Sequence, residues 1–238
     1  MNLRTVRLIC PMAFLLGVLL LAAMPAAAGI IVGVPADSGT GNCYPFGCSY
    51  TGEYQQVYSH TQFSGPITIT NLEFYNTVFN EGATAMNSGN WMISLSTTST
   101  DWNTLSGAYA NNIGGDNTLV FNGNLYQPWA FGNTLQIILS TPFTYDPANG
   151  NLLMDVFVSG ASAPGGNIYF DTNGFNNFGY NGNTFLGRVY GPGNLDSGYG
   201  LVTGFSTGAT GVPEPGLTGV LALALVGMGM AIRRRRIN

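Results

Sequence analysis

The sequence predicts an all-β protein: an antiparallel β-sandwich of jelly-roll type, flanked by a signal peptide and a C-terminal transmembrane helix. Short apolar alternations are broken by Gly, Asn, Asp and Pro, and glycine accounts for 34 of the 238 residues. A hydrophobic content of 45% with 12% aromatic residues indicates a packed core rather than disorder. Within residues 29–212 no segment keeps a 3.6-residue apolar period. A closed barrel is the alternative architecture.

The strand pattern is clearest at residues 151–158. Leu152, Met154, Val156 and Val158 recur at a period of two and share one face of a strand. Comparable segments predict eight or nine strands in one domain, residues 29–205, with no internal boundary. The other predicted strands are 54–59, 66–75, 91–96, 118–122, 134–140, 167–170, 184–190 and 199–205.

The N-terminus has the three parts of a secretory signal peptide. Two arginines lie within the first seven residues, and an apolar run from Leu8 to Met24 follows them. The next five residues, Pro-Ala-Ala-Ala-Gly, contain a small-x-small cleavage site. We therefore expect a signal peptide over residues 1–28, with cleavage between Ala28 and Gly29. A retained membrane anchor is the alternative.

The C-terminus combines a linker, an apolar segment and a basic cluster. Residues 206–211, Ser-Thr-Gly-Ala-Thr-Gly, have the composition of a flexible linker. The apolar residues 217–232 are close to the minimum of about 17 residues that crosses a bilayer. The cluster Arg233, Arg234, Arg235 and Arg236 resists translocation and acts as a stop-transfer signal. This topology places the 29–205 domain outside the cytoplasm.

A short motif separates the linker from the apolar segment. Pro213, Glu214 and Pro215 directly precede it, and the two prolines remove N–H donors and hold their neighbours extended, as a protease cleft requires. The whole ending, residues 212–238, resembles the PEP-CTERM sorting signal of Gram-negative bacteria. The resemblance implies transient anchoring in the inner membrane and processing by an exosortase, a membrane-embedded enzyme similar to cysteine transpeptidases. A plain tail anchor is the alternative.

The exported region is acidic. Residues 29–212 contain ten acidic side chains and one basic side chain, Arg188, which gives a net charge of −9. Such a surface repels a phosphate backbone, so the sequence excludes nucleic acid as a partner.

The cysteines predict one disulfide. Cys10 lies in the signal peptide, so Cys43 and Cys48 are the only cysteines expected in the exported protein, and an even pair in this compartment forms a disulfide. A metal centre is not expected, because His60 is the only histidine available as a further ligand. No motif indicates a cofactor.

No sequence motif indicates a catalytic centre. His60 has no nucleophile motif beside it and is expected to be a hydrogen-bonded turn residue. A carboxylate pair such as Glu73 and Asp155 leaves a glycosidase open, although spacing selects no particular pair. Oxygen-bearing residues from Asp171 to Gly174 leave a calcium site open, but ordinary turn chemistry explains them. We predict that the protein is not an enzyme.

Aromatic rings offer one further chemistry, the stacking of sugar rings. Trp102 lies in a polar turn and is expected to be the most exposed tryptophan, whereas Trp91 belongs to a strand and is expected in the core. Trp102 and Trp129 are the candidates for sugar stacking.

The sequence thus predicts a non-enzymatic protein of the cell surface, extracellular matrix or biofilm. Its expected partners are signal peptidase, an exosortase and, transiently, the inner membrane. A carbohydrate-binding module for exopolysaccharide is the alternative, and a glycosidase is the third hypothesis.

Overall fold

The computed structural model describes residues 29–35, 40–174 and 183–207. The expected signal peptide, the end of the linker and the sorting signal lie outside the described residues, so these assignments stay predictions. Among the described residues, no helix has both the length and the apolar character needed to cross a membrane.

The described residues form thirteen strands and three short 3-10 turns. The strands are β1 (Ile30–Val32), β2 (Gly41–Asn42), β3 (Gly52–Tyr58), β4 (Ile67–Tyr75), β5 (Ser88–Thr98), β6 (Thr118–Gly123), β7 (Thr134–Tyr145), β8 (Asn151–Ser162), β9 (Phe170–Asn173), β10 (Leu186–Tyr190), β11 (Asn194–Ser197), β12 (Gly200–Leu201) and β13 (Thr203–Ser206). The 3-10 turns are His60–Gln62, Tyr109–Asn111 and Pro147–Asn149.

These strands form two large sheets and one small one. The four-stranded sheet has the order β1-β13-β4-β7, and the six-stranded sheet has the order β11-β10-β3-β8-β5-β6. The small sheet has the order β12-β9-β2. Within the part of the chain that the structure describes, all strand pairings are antiparallel. The predicted all-β class with antiparallel sheets is therefore confirmed.

One main hydrophobic core is shared by the two large sheets. Leu72 and Phe74 of β4 contribute to it from the four-stranded sheet, while Trp91 of β5 and Val156 of β8 contribute from the other. Along each strand these core residues alternate with residues that face outward. One face of each sheet therefore packs against the other sheet, as in a β-sandwich.

A second, smaller core lies on the outer face of the six-stranded sheet. The loop of residues 99–117, between β5 and β6, covers part of this face. Leu105 of the loop packs there with Val57, Leu153 and Val189. The loop thus gives one region of an outer sheet face a buried environment.

Most of the predicted strands match the structure, but β1, β2 and β11 lie outside the predicted segments, and the strand predicted near β9 is shifted. The pattern predicted a strand at 167–170, but β9 is Phe170–Asn173. The Ile168 N–H donates instead to the Gly47 carbonyl, at 2.8 Å. Asp171 is part of β9 and is completely buried. The backbone N–H of Thr77 donates to its carboxylate at 2.8 Å. The observed strand therefore begins three residues later than the predicted one, because contacts with distant segments determine which residues pair.

Candidate functional site

The two ends of the folded domain lie side by side. β1 begins at Ile30, just after the expected cleavage site, and Ile30 pairs with Phe205 of β13. Residues paired in this way have Cα atoms about 5 Å apart. Ser206, which the sequence analysis assigned to the linker, is the last residue of β13, and its hydroxyl donates to Glu73 at 2.9 Å. The chain therefore enters and leaves the four-stranded sheet at neighbouring points.

The loop of Cys43 to Cys48 contributes a side chain to the main core. The Cα atoms of the two cysteines are 5.3 Å apart, a separation typical of a disulfide. Phe46, inside the loop, is completely buried in the main core. A Cβ atom at Gly47 would lie 1.8 Å from the Ile168 carbonyl oxygen, so this position admits only glycine. The geometry is compatible with the expected disulfide.

The three tryptophans have different environments. Trp91 is fully buried, as expected. Trp129 is only 7% exposed, donates its indole N–H to Asn76 at 3.2 Å and contacts Phe170 edge-on. Trp102 is half-buried against the small core. A ring as buried as Trp129 has little face to offer a sugar.

The carboxylates named for a glycosidase do not form a site. Glu73 lies on β4 between the core residues Leu72 and Phe74, so it faces outward from the four-stranded sheet. Asp155 lies on β8 between core residues Met154 and Val156, so it faces outward from the six-stranded sheet. The core separates the two side chains, and this pair cannot flank one glycosidic bond.

Asp155 has a different acidic neighbour, Glu53 of β3. The strand register places Gln55 opposite Asp155, with Glu53 on the same outer face two residues away. Partial burial, and then the Asp155 carboxylate, raise the pKa of Glu53 from 4.5 to about 7. Burial also raises the pKa of Asp155. The pair therefore holds a proton up to near-neutral pH.

The surroundings of this pair connect it to the 99–117 loop. The Tyr109 hydroxyl lies 2.8 Å from the backbone carbonyl oxygen of Glu53. The Gln55 amide donates to the Tyr109 carbonyl at 3.2 Å and accepts from the Asn112 amide at 2.9 Å. These bonds hold the 99–117 loop on the six-stranded sheet. The acid pair therefore lies beside the contact between the loop and the sheet.

We expect this pair to make the stability of the domain depend on pH. The pKa of Glu53 is raised in the folded state. Its contribution to the free energy of unfolding is therefore fully present below about pH 4.5 and is lost as the pH rises through about 7. After allowance for screening by water, the loss is about 1 kcal/mol. Urea unfolding of the Glu53→Gln variant should show a smaller decrease in stability between pH 5 and pH 8 than wild type.

Glu81→Gln is the matched control, because Glu81 is exposed in a loop. This variant should keep the wild-type pH dependence. An equal pH dependence in wild type and Glu53→Gln would exclude the pair as the source.

Arg188 forms a buried ion pair at the β10-β11 hairpin. It is 3% exposed, and its Nη2 lies 2.7 Å from Asp196 Oδ2. Its guanidinium carbon lies 4.6 Å from the ring centre of Tyr190 and 4.5 Å from that of Tyr199. The one cationic side chain of residues 29–212 is thus used inside the fold, and the acidic side chains outnumber it at the surface.

His60 and Asp171 have structural partners. His60 opens a 3-10 turn, and its Nδ1 lies 3.0 Å from the Asn151 side-chain oxygen, so it is the hydrogen-bonded turn residue that was expected. Asp171 accepts hydrogen bonds from the backbone N–H groups of Thr77 and Val78. Asp171 therefore lies in β9 and connects it to the distant segment 77–78, so the turn expected at this residue is wrong.

No protein-family model and no curated protein matches the chain. Inference about function therefore depends on the residues and contacts described above.

Proposed function

We propose that the chain is a non-enzymatic protein of the cell surface or extracellular matrix, exported and then processed by an exosortase. In this proposal signal peptidase cuts between Ala28 and Gly29, residues 217–232 hold the protein in the inner membrane, and the exosortase recognises Pro213–Pro215. Arg233–Arg236 keep the C-terminus in the cytoplasm until processing.

The observation that carries this proposal is the position of the first and last strands of the described residues. β1 starts at Ile30 and β13 stops at Ser206, so the strands occupy the segment between the two expected processing sites. Cleavage at either site removes no strand from the four-stranded sheet. A domain of this kind keeps its core when both targeting segments are lost.

Two further features support an extracytoplasmic location. The geometry of Cys43 and Cys48 is compatible with a disulfide, and disulfides persist in oxidising compartments. The net charge of −9 over residues 29–212 keeps a released domain soluble and away from nucleic acid.

We propose the jelly-roll type for the domain, and the strand order supports it. When β1, β3, β4, β5, β6, β7, β8 and β13 are numbered one to eight, the two sheets have the orders 1-8-3-6 and 2-7-4-5. Two interlocked Greek keys have these orders. The hairpin β10-β11 extends the second sheet beyond β3.

The sorting proposal predicts that Glu214→Ala and Pro215→Ala block loss of the C-terminal tail. Insertion and topology should stay unchanged, because neither residue lies in the apolar segment. Deletion of Arg233–Arg236 should instead allow the apolar segment to slip outward before processing. The measurement is the size and membrane association of each variant in a host that encodes an exosortase.

Glu81→Ala is the matched control, since it removes one exposed glutamate from the folded domain. It should mature like wild type. Identical maturation of wild type and Glu214→Ala would refute recognition of the motif and leave a tail-anchored envelope protein.

A further inference from the structure

A groove runs along the outer edge of the four-stranded sheet. β7 is the last strand of that sheet, and the segment 124–127, which follows β6, lies beside it. The groove between them has a volume of about 260 Å³ and is open to solvent. β7 and β1 are the two edge strands of this sheet, so the groove and β1 lie at opposite edges.

Exposed apolar side chains form part of this groove. Tyr126 is 56% exposed and Ile138 is 73% exposed, while Phe121 of β6 is half-buried. An accessible tyrosine next to aliphatic surface offers a flat apolar contact with a polar hydroxyl at its rim. The C–H faces of sugar rings pack on surfaces of this kind.

Amide side chains supply the polar part. Among the described residues, the side chains of Gln127 and Gln136 have no hydrogen-bond partner, and both are exposed in the groove. Asn124 differs, because its side chain accepts from the Tyr126 N–H at 2.6 Å and donates to the Gly89 carbonyl at 2.6 Å. Asn124 therefore orients the segment that carries Tyr126, and the two glutamines can donate to and accept from hydroxyl groups.

The electrostatics of the groove favour neutral ligands over anionic ones. All the residues that line it are uncharged. Glu73 lies directly opposite Gln136 on the neighbouring strand β4. A carboxylate at this border, in a domain with ten acidic groups and one basic group over residues 29–212, disfavours an anionic ligand.

Only a short part of β7 lines the groove, which disfavours an added peptide strand within it. The groove extends over residues 135–138, and beyond it the Ser140 hydroxyl donates to the Val120 carbonyl at 2.9 Å. Four residues of strand span about 13 Å, so the groove contacts less of β7 than an ordinary strand would cover. A ligand that binds through ring faces and hydroxyl groups needs no long backbone edge.

We propose that this groove binds a neutral polysaccharide, with Tyr126 as the stacking residue and Gln127 and Gln136 as hydroxyl-binding residues. This binding site goes beyond the sorting function and does not depend on it. It gives an exported surface protein a means of attachment to uncharged matrix polymer, while acidic polymers are repelled.

The test measures binding of the purified full-length protein to soluble polysaccharides. The neutral probes are dextran, laminarin, galactomannan and xylan, and the acidic probes are alginate and polygalacturonate. We expect binding to at least one neutral probe and to neither acidic probe. Tyr126→Ala should weaken that binding about tenfold, and Gln136→Ala about fivefold.

Phe157→Ala is the matched control, because Phe157 is an aromatic residue that is 48% exposed on the outer face of the other sheet. It should bind like wild type, and thermal unfolding should show that all variants fold. Binding to acidic probes alone, unchanged binding in Tyr126→Ala, or no binding to any neutral probe would each overturn the proposal. Preferential binding of an extended peptide at the β7 edge would overturn it as well.

Discussion

Replacement of Asp196 by alanine is expected to destabilise the domain by about 3–5 kcal/mol. The cause is the charge left behind, because Arg188 is 3% exposed and Asp196 is its ion-pair partner. The two tyrosine rings beside the guanidinium offset only part of that cost. Equilibrium urea unfolding of the purified protein measures the loss.

The double variant Arg188→Met with Asp196→Ala tests this cause. It removes the buried charge together with its partner, so we expect it to recover most of the lost stability. A double variant as unstable as Asp196→Ala would show that packing, and not the unpaired charge, accounts for the effect.

Trp91→Ala is the second large perturbation, with an expected loss of about 3–5 kcal/mol. Trp91 is fully buried in the main core. Its indole N–H donates to the Pro45 carbonyl at 3.3 Å, which connects β5 to the cysteine loop. The variant loses both the filled volume and this connection, and a shift of the urea midpoint measures the result.

Two variants set the scale for this prediction. Trp91→Phe keeps most of the ring volume and should lose less stability than Trp91→Ala. Phe157→Ala removes a half-exposed ring from the next strand and should cost about 0.5 kcal/mol or less. Equal losses in Trp91→Ala and Phe157→Ala would contradict the role assigned to the buried ring.

Strands with a strict apolar alternation were predictable from the sequence. In β8 the residues Leu152, Met154, Val156 and Val158 are all buried, as their spacing predicts. β11 was missed because Asn194–Ser197 has a single apolar residue, Leu195, and is mostly exposed. Its pairing with β10 puts Asp196 opposite Arg188. The alternation of apolar residues in the sequence does not predict this contact.

Functional candidates were harder to predict, because they depend on register between distant strands. Glu53 and Asp155 are 102 positions apart in the chain and meet only because β3 pairs with β8. With ten acidic residues in the segment 29–212, the sequence offered no reason to choose this pair. Trp129 is of the residue type that stacks on sugar rings, but tertiary packing buries it. Tyr126, three residues earlier in the chain, stays exposed.

The adjacency of β1 and β13 makes the fold a candidate for circular permutation. Because Ile30 and Phe205 are paired neighbours, a short bridge would join the ends without distorting the sheet. New ends can be opened at Gly115, which is exposed and has open space around it. A passenger fused directly before β1 would begin about 14 Å from β7, three strand spacings away in the sheet. Both engineered forms leave the β7 edge accessible to solvent.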